Sequence, residues 1–138
     1  MSMIYHHWEK PPYFLTTDPA CVDFDFVYQQ LSQTYWASQR GKRQIERSIQ
    51  NAIPFNLYWE EEPIGFARVI TDRAVFGYLG DVVIAPEHRG HGLGKWMVSC
   101  ILSHPELKGC KILLETKDAH GLYAQLGFEL KECMKRQL

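Results

Sequence analysis

The sequence lacks the features that mark several common classes of protein. None of its apolar runs approaches the roughly 20 residues that a membrane-spanning helix needs, and its N-terminus has no signal-peptide pattern. Its formal net charge is −1, from 15 basic and 16 acidic side chains, so no strong field draws it to nucleic acid or membrane. We therefore expect a cytoplasmic protein whose partner is neither a nucleic acid nor a membrane.

Clusters of metal-ligating side chains are lacking too. The four cysteines are scattered without a C-x-x-C pair, which favours free thiols in a reducing compartment. His6 and His7 are adjacent, so on a strand they would point to opposite faces. Because the other histidines also lack ligand spacing, we expect no metal site.

The composition is that of one ordinary globular domain. Hydrophobic residues make up 46% of the 138-residue chain and charged residues 22%, which suits a single core. No internal repeat, low-complexity segment or linker divides the chain. We expect one domain over residues 1–138.

The strongest local signal is a glycine-rich segment between a strand and a helix. The apolar, β-branched run 82–84 is typical of a buried strand, and Pro86 ends it. Three glycines follow within residues 89–95. The next helix carries one apolar stripe, formed by Leu93, Trp96, Met97, Cys100 and Ile101, and Pro105 limits its length.

This segment predicts an anion-binding loop. Glycines let backbone N–H groups approach a ligand, and the first turn of a helix offers unpaired donors at the positive end of its dipole. Arg89 and Lys95 add positive charge, so phosphate or pyrophosphate is the expected ligand. A turn that only packs the helix on the sheet is the alternative, but it has no use for two flanking cations.

Two familiar phosphate motifs do not fit the segment. In the P-loop pattern, Arg89 stands where the first glycine belongs and Trp96 where Ser or Thr belongs. In the dinucleotide pattern G-x-G-x-x-G, Lys95 replaces the third glycine.

The rest of the chain predicts alternating strands and helices around this segment. Expected strands cover 3–8, 53–59, 64–71, 76–84, 111–115 and 128–130, and the second and third form a hairpin. Expected helices start near Asp23, at Lys42 and at Ala119, in addition to the helix after the glycines. Residues 10–19 are expected to be a loop, and Gly80 suggests a bulge in its strand.

A second motif lies in residues 116–128. Ala119, Leu122, Tyr123 and Leu126 share one helical face, Asp118 is a candidate cap, and Gly127 suits the position after the helix. Tyr123 is then either a core aromatic or a functional phenol.

These two motifs carry a resemblance to a known family. Arg89-x-x-Gly92-x-Gly94 after Val-Val-Ile-x-Pro resembles the pyrophosphate loop of the GNAT superfamily of N-acetyltransferases, and A-x-x-L-Y-x-x-x-G-F is a recurrent pattern of the same family. The segments Tyr-Trp-Ala, Arg-Val-Ile-Thr-Asp and Thr-x-Asp-Ala-His-Gly-Leu-Tyr look like a group of small bacterial members of unassigned substrate.

The resemblance implies an α/β fold with a mixed sheet of six to seven strands and about four helices. The sheet splays between its fourth and fifth strands, and acetyl-CoA lies in the split. After the Gly-Phe pair only Glu129 to Leu138 remain, so the seventh strand is short, missing or supplied by a neighbouring subunit. An open sheet edge makes a homodimer possible.

The resemblance also implies the site residues. Acetyl-CoA would be bound by the fourth strand, the glycine loop and a threonine where the family often has asparagine: Val82, Val83, Ile84, Arg89, Gly90, His91, Gly92, Leu93, Gly94, Lys95 and Thr116. Tyr123 would protonate the departing thiolate, because a phenol with the reference pKa of about 10 keeps its proton at neutral pH.

The acceptor side is less defined. Asp81 is the candidate general base, with a solvated or paired carboxylate as the alternative, and His120 is the second candidate. Tyr35, Trp36 and Arg40 are candidate acceptor-binding residues, although Tyr35 and Trp36 could instead close the core. Aromatics favour an apolar or cationic amine, whereas Arg40 suits a carboxylate.

The expected reaction is direct attack by a primary amine of a small molecule or peptide on the acetyl thioester. A non-catalytic CoA-binding sensor is the alternative, and a nucleotide-phosphate binder of another fold is a third. The failed phosphate motifs argue against the third.

Overall fold

The structure is a computed structural model that describes residues 4–137. It has six strands and four α-helices within that range, in a mixed α/β arrangement. The strands are β1 (His7–Lys10), β2 (Tyr13–Thr16), β3 (Ile53–Trp59), β4 (Glu62–Thr71), β5 (Phe76–Ile84) and β6 (Lys111–Leu114). The helices are α1 (Phe24–Leu31), α2 (Lys42–Gln50), α3 (Leu93–Leu102) and α4 (His120–Ala124).

All six strands form one sheet in the order β1-β2-β3-β4-β5-β6. Neighbours from β1 to β5 are antiparallel, and β6 is parallel to β5. A parallel pair needs a crossover, and α3 supplies it. The expected mixed sheet is therefore confirmed.

The sheet splits between β5 and β6. Only Phe76–Leu79 of β5 pairs with Lys111–Leu114 of β6, whereas β5 itself continues to Ile84. Residues 80–84 thus have strand β4 on one side and no described strand on the other. This gap is the feature that positions the candidate site.

A β-bulge lies where the split opens. Phe66 pairs with Val83 and Arg68 with Gly80, so Asp81 and Val82 together face Ala67 alone. Asp81 adopts a left-handed conformation with φ of 56°, as extra residues in bulges can. The irregularity expected at Gly80 is therefore present, one residue further along.

Two hydrophobic clusters cover the two faces of the sheet. Adjacent residues Phe66 and Ala67 belong to different clusters, because successive side chains of a strand alternate between faces. One cluster packs α3 on the sheet through Met97 and Ile101. The other packs the first two helices on Phe66 and Val83, through Val27, Leu31 and Ile45.

The N-terminal prediction is wrong in part. Residues 10–19 were expected to be a loop, but β2 lies within them and pairs with both β1 and β3. Pro11 and Pro12 lie within the expected loop and form the turn of the hairpin between β1 and β2. The first strand begins at His7 rather than Met3, which lies outside the described residues.

The C-terminal prediction is also wrong in part. Residues 128–130 form no strand, and no regular secondary structure occurs from 125 to 137. Phe128 instead packs edge-on against Tyr123. The last helix was expected over Ala119 to Leu126, but it spans only His120–Ala124. Among residues 4–137, no helix combines the length and the apolar character that crossing a bilayer demands.

Candidate active site

A large cleft occupies the gap between β5 and β6. Its volume is about 1700 Å³, and it runs from the glycine-rich loop to the segment between α1 and α2. Its walls come from β5, α4, the loops on either side and residues 135–137 of the C-terminal segment.

The glycine loop forms one end of the cleft. Gly90 and Gly92 have φ of 85° and 73°, and Gly92 caps the start of α3. A Cβ added at either glycine would meet no atom within 4 Å, so the space in front of the backbone is open. No side chain caps the first turn of α3, which leaves its N–H donors available to a ligand.

The two cations of this loop are held by the protein. Arg89 Nε donates to the carbonyl oxygen of Ile84 at 2.9 Å, and Lys95 Nζ donates to Gln125 Oε1, also at 2.9 Å. Both side chains line the cleft. His91, in contrast, is exposed and does not line it.

The unpaired edge of β5 forms the floor. Val82, Val83 and Ile84 all line the cleft, and the side chain of Val83 is buried under α1, so it can offer only its backbone. Thr116 lines the cleft opposite, and its hydroxyl oxygen accepts the N–H of Ala119 at 3.0 Å. Thr116, and not Asp118, therefore supports the start of α4.

Tyr123 is both a packed residue and a cleft residue. Its ring meets that of Phe128 at a centroid distance of 5.7 Å and an angle of 74°, and it also lines the cleft. Its hydroxyl has no hydrogen-bond partner among residues 4–137. Burial raises the pKa of Tyr123, and Asp118 and Tyr35 raise it further, so the phenol holds its proton at neutral pH. His120, the second base candidate, does not line the cleft.

Tyr35 and Trp36 lie at the mouth of the cleft, not in the core. They are 57% and 40% exposed, which excludes the core-closing interpretation. The N–H of Lys117 donates to the Tyr35 hydroxyl at 3.1 Å, and Lys117 Nζ lies 5.4 Å from the centre of its ring. The α1–α2 segment and the loop before α4 are thus joined across the cleft.

Asp81 is a buried, paired carboxylate. Its Oδ1 accepts from Trp36 Nε1 and Arg40 Nη1, both at 3.0 Å. Its Oδ2 accepts from Arg40 Nη1 at 2.9 Å and from Arg68 Nε at 2.6 Å. Burial alone would raise the pKa of Asp81, but Arg68 and Arg40 outweigh it and lower that pKa. Of the two interpretations left open by the sequence, this arrangement is the paired carboxylate, and such a group is a weak base.

Arg68 and Tyr78 are among the cleft residues that sequence reasoning missed. Arg68 lies in the apolar stretch 64–70, and a cation in a buried strand was a signal that could have identified it. Tyr78 also faces the cleft. Burial raises the pKa of Tyr78, and the nearby Glu115 adds to this effect, so Tyr78 is a second phenol that keeps its proton.

The C-terminal segment contributes a wall that the sequence did not predict. Lys135, Arg136 and Gln137 line the cleft, and Lys135 Nζ lies 2.5 Å from Glu115 Oε2. This ion pair is exposed, so it contributes little to stability, but it holds the segment beside β6.

The fold also gathers donors that showed no spacing in the sequence. Ligand atoms of Glu62, Glu87 and His88 lie within 4.8 Å of one another. Both glutamates are exposed, as acidic groups commonly are, and we assign no metal role to them.

Comparisons with known proteins define the class to which this fold and cleft belong. A crystal structure from Xanthomonas campestris pv. campestris, of a protein assigned to the GNAT acetyltransferases, superposes with a TM-score of 0.88. It is 37% identical and covers 94% of this chain and 96% of its own. A protein of Gibberella zeae named as an acetyltransferase is 30% identical over 86% of this chain and 80% of its own.

A sequence model of the Acetyltransferase (GNAT) family matches residues 4–128. The chain therefore belongs to the GNAT acetyltransferase family. A further relative, a glucosamine 6-phosphate N-acetyltransferase of Trypanosoma brucei brucei, is 38% identical over 46% of this chain and 44% of its own.

Proposed function

We propose that the protein transfers the acetyl group of acetyl-CoA to a primary amine of a small molecule or peptide. The amine attacks directly while both substrates are bound. The observation that carries this proposal is the single cleft that joins an open glycine loop, an unpaired strand edge and a protonated phenol. Family membership supports acetyl transfer independently.

The cleft residues fit acetyl-CoA. The pyrophosphate would accept hydrogen bonds from the backbone of residues 89–95, where two left-handed glycines leave the approach open. The pantetheine arm would pair with the edge formed by Val82, Val83 and Ile84, which needs partners for its backbone groups. Thr116 faces the same space, and its O–H can still donate.

The reaction needs donors for an oxyanion, an acid for the leaving thiolate and an acceptor for the amine proton. The amine nitrogen bonds to the carbonyl carbon, and the developing oxyanion would be stabilised by backbone N–H groups at the bulge beside Asp81. The C–S bond breaks, and the thiolate sulfur takes the proton of Tyr123. The amine must also lose a proton, and because Asp81 is paired with two arginines, we assign this step to water in the cleft.

A screen of primary amines with acetyl-CoA, read by release of free thiol, tests this function. We expect at least one amine to release thiol well above the rate without amine. A protein that binds acetyl-CoA in calorimetry, yet releases no thiol with any amine, would instead support a CoA-binding sensor.

Two further expectations remain proposals. The cytoplasm is the proposed location, and all four cysteines being free thiols is consistent with it. A homodimer is proposed because no strand among residues 4–137 covers the outer edge of β6. Light scattering that gives the mass of a monomer at micromolar concentration would reject the dimer.

A further inference from the structure

The buried charges beside the bulge do not balance. One carboxylate, Asp81, serves two guanidinium groups, those of Arg40 and Arg68. The side chain of Asp81 is 2% exposed, that of Arg68 10% and that of Arg40 26%. A net positive charge that is largely removed from solvent is costly unless another anion approaches it.

The two arginines also have N–H donors that no described residue accepts. Arg68 uses only Nε on Asp81, and within residues 4–137 its two η nitrogens donate to no partner. Arg40 uses only Nη1. No fully buried side-chain nitrogen or oxygen in that range lacks a partner, so the spare nitrogens are those that solvent reaches. Both side chains line the cleft, and we therefore place their spare donors toward it.

The surroundings add to the positive charge. Seven Lys and Arg side chains line the cleft against three Asp and Glu, although the whole chain has a net charge of −1. Arg89 and Lys95 lie at the glycine end, where a pyrophosphate would use them. Among the other lining residues the cations still outnumber the acids: Arg40, Arg68, Lys117, Lys135 and Arg136 against Asp81, Glu115 and Asp118.

The position of the pair limits the size of the ligand. Arg68 lies opposite Gly80 in the strand register, next to the bulge where we place the reacting carbonyl. An anionic group held there must lie within a few bonds of the attacking amine. A small molecule meets this requirement, whereas the flexible side chain of a protein lysine carries no anion so close to its amine.

We propose that the acceptor is a small amine that bears a carboxylate or a phosphate, and that Arg68 and Arg40 bind this anionic group. The inference rests on the proposed function and narrows it. It selects against the polycationic amines that Tyr35 and Trp36 by themselves would suit. Paired, forked donors recognise both carboxylates and phosphates, so the chemistry of the anion is left to experiment.

Binding to the wild-type protein loaded with CoA gives the first test. Calorimetry would compare the α-amino acids with their amides, glucosamine 6-phosphate with glucosamine, and spermidine as a polycation. We expect the compound that carries the carboxylate or phosphate to bind at least tenfold more tightly than its counterpart without that group, and the pair that shows this distinguishes carboxylate from phosphate. Equal binding within every pair, or tightest binding of spermidine, would overturn the inference.

Variants give the second test. Arg68→Gln should reduce the preference for the compound that carries the carboxylate or phosphate by tenfold or more and leave acetyl-CoA affinity unchanged. Arg43→Gln, an exposed arginine of α2 away from the cleft, is the matched control and should keep the preference. If Arg68→Gln does not fold, Arg40→Gln replaces it, because its side chain is more exposed. A retained preference in the folded variant would reject the assignment.

The two proposals can fail separately. Binding is measured without acetyl transfer, so an absence of thiol release would reject only the proposed enzyme. Equal binding of the compounds with and without the anionic group would reject only the proposal of an anionic acceptor.

Discussion

Replacement of Asp81 by asparagine separates a positioning role from a catalytic one. Asparagine has nearly the same shape and tolerates left-handed backbone, so the φ of 56° at the bulge stays accessible. The substitution therefore keeps the shape and the backbone, removes the charge, and replaces one acceptor oxygen with an NH₂ group that faces donors. It leaves Arg40 and Arg68 close together without a counterion, and Arg68 is nearly buried.

The magnitude follows from that geometry. Loss of one partner of a buried ion pair costs about 3 to 5 kcal/mol, and we expect the lower end because the amide oxygen still accepts a hydrogen bond. Unfolding entropy is about 2.1 cal/mol/K per residue, so for 138 residues a loss of 3 kcal/mol lowers Tm by roughly 10 °C. Asp25→Asn, an exposed carboxylate of α1, is the matched control and should change Tm by no more than 2 °C or so.

The effect should depend on pH in a defined direction. The pKa of Asp81 is lowered in the folded protein, so its contribution is present above the unfolded pKa of about 3.9. It is lost as pH falls below that value and through the folded pKa. The difference in stability between wild type and Asp81→Asn should therefore be full at pH 7 and shrink below about pH 4.

Thermal melts and the pH profile of turnover form the assay. We expect a large fall in Tm and an unchanged acidic limb of the pH–rate profile. A variant that melts within 2 °C of wild type, while turnover falls about a hundredfold and the acidic limb disappears, would show that Asp81 is the base.

Three further predictions concern other parts of the molecule. Gly92→Val should weaken acetyl-CoA binding more than tenfold in calorimetry, which is about 1.4 kcal/mol. Gly109→Val is the control: Gly109 also has a positive φ and open space around it, but it lies outside the cleft, so this variant should keep its affinity. Tyr123→Phe should lower turnover by about 10² to 10⁴ with little change in Tm. If Tyr123→Phe keeps full turnover and Tyr78→Phe loses it, Tyr78 is the acid instead. Burial, and to a smaller extent His6, lowers the pKa of His104 in the folded protein. Protonation therefore favours the unfolded state, and stability should fall as pH drops below the unfolded pKa of about 6.5. Urea melts of His104→Asn between pH 7 and 5 should have a flatter pH dependence, and an equal slope would exclude His104 as its source.

The sequence alone determined the features that arise within short windows. A β-branched run, a proline and three glycines are a local code for strand, turn and helix start, and α3 begins at Leu93 as they predict. The start of α1 is equally local, because the Asp23 carboxylate accepts the N–H of Phe26 at 3.0 Å. The position of Tyr123 on a short helix before Gly127 could be predicted from the sequence in the same way. Family resemblance could therefore be recognised before any contact was known.

Tertiary structure decided the features that depend on residues far apart in the chain. Trp36, Arg40 and Arg68 reach Asp81 from 45, 41 and 13 residues away, and only strand register and the bulge bring them together. Strand β2 exists because β1 and β3 flank it, since the four residues Tyr13–Thr16 that follow a Pro-Pro pair have no strand periodicity of their own. The charge state of a carboxylate depends on the groups around it in space. For that reason the sequence could identify Asp81 but only the packed fold could decide between a base and an anchor for two arginines.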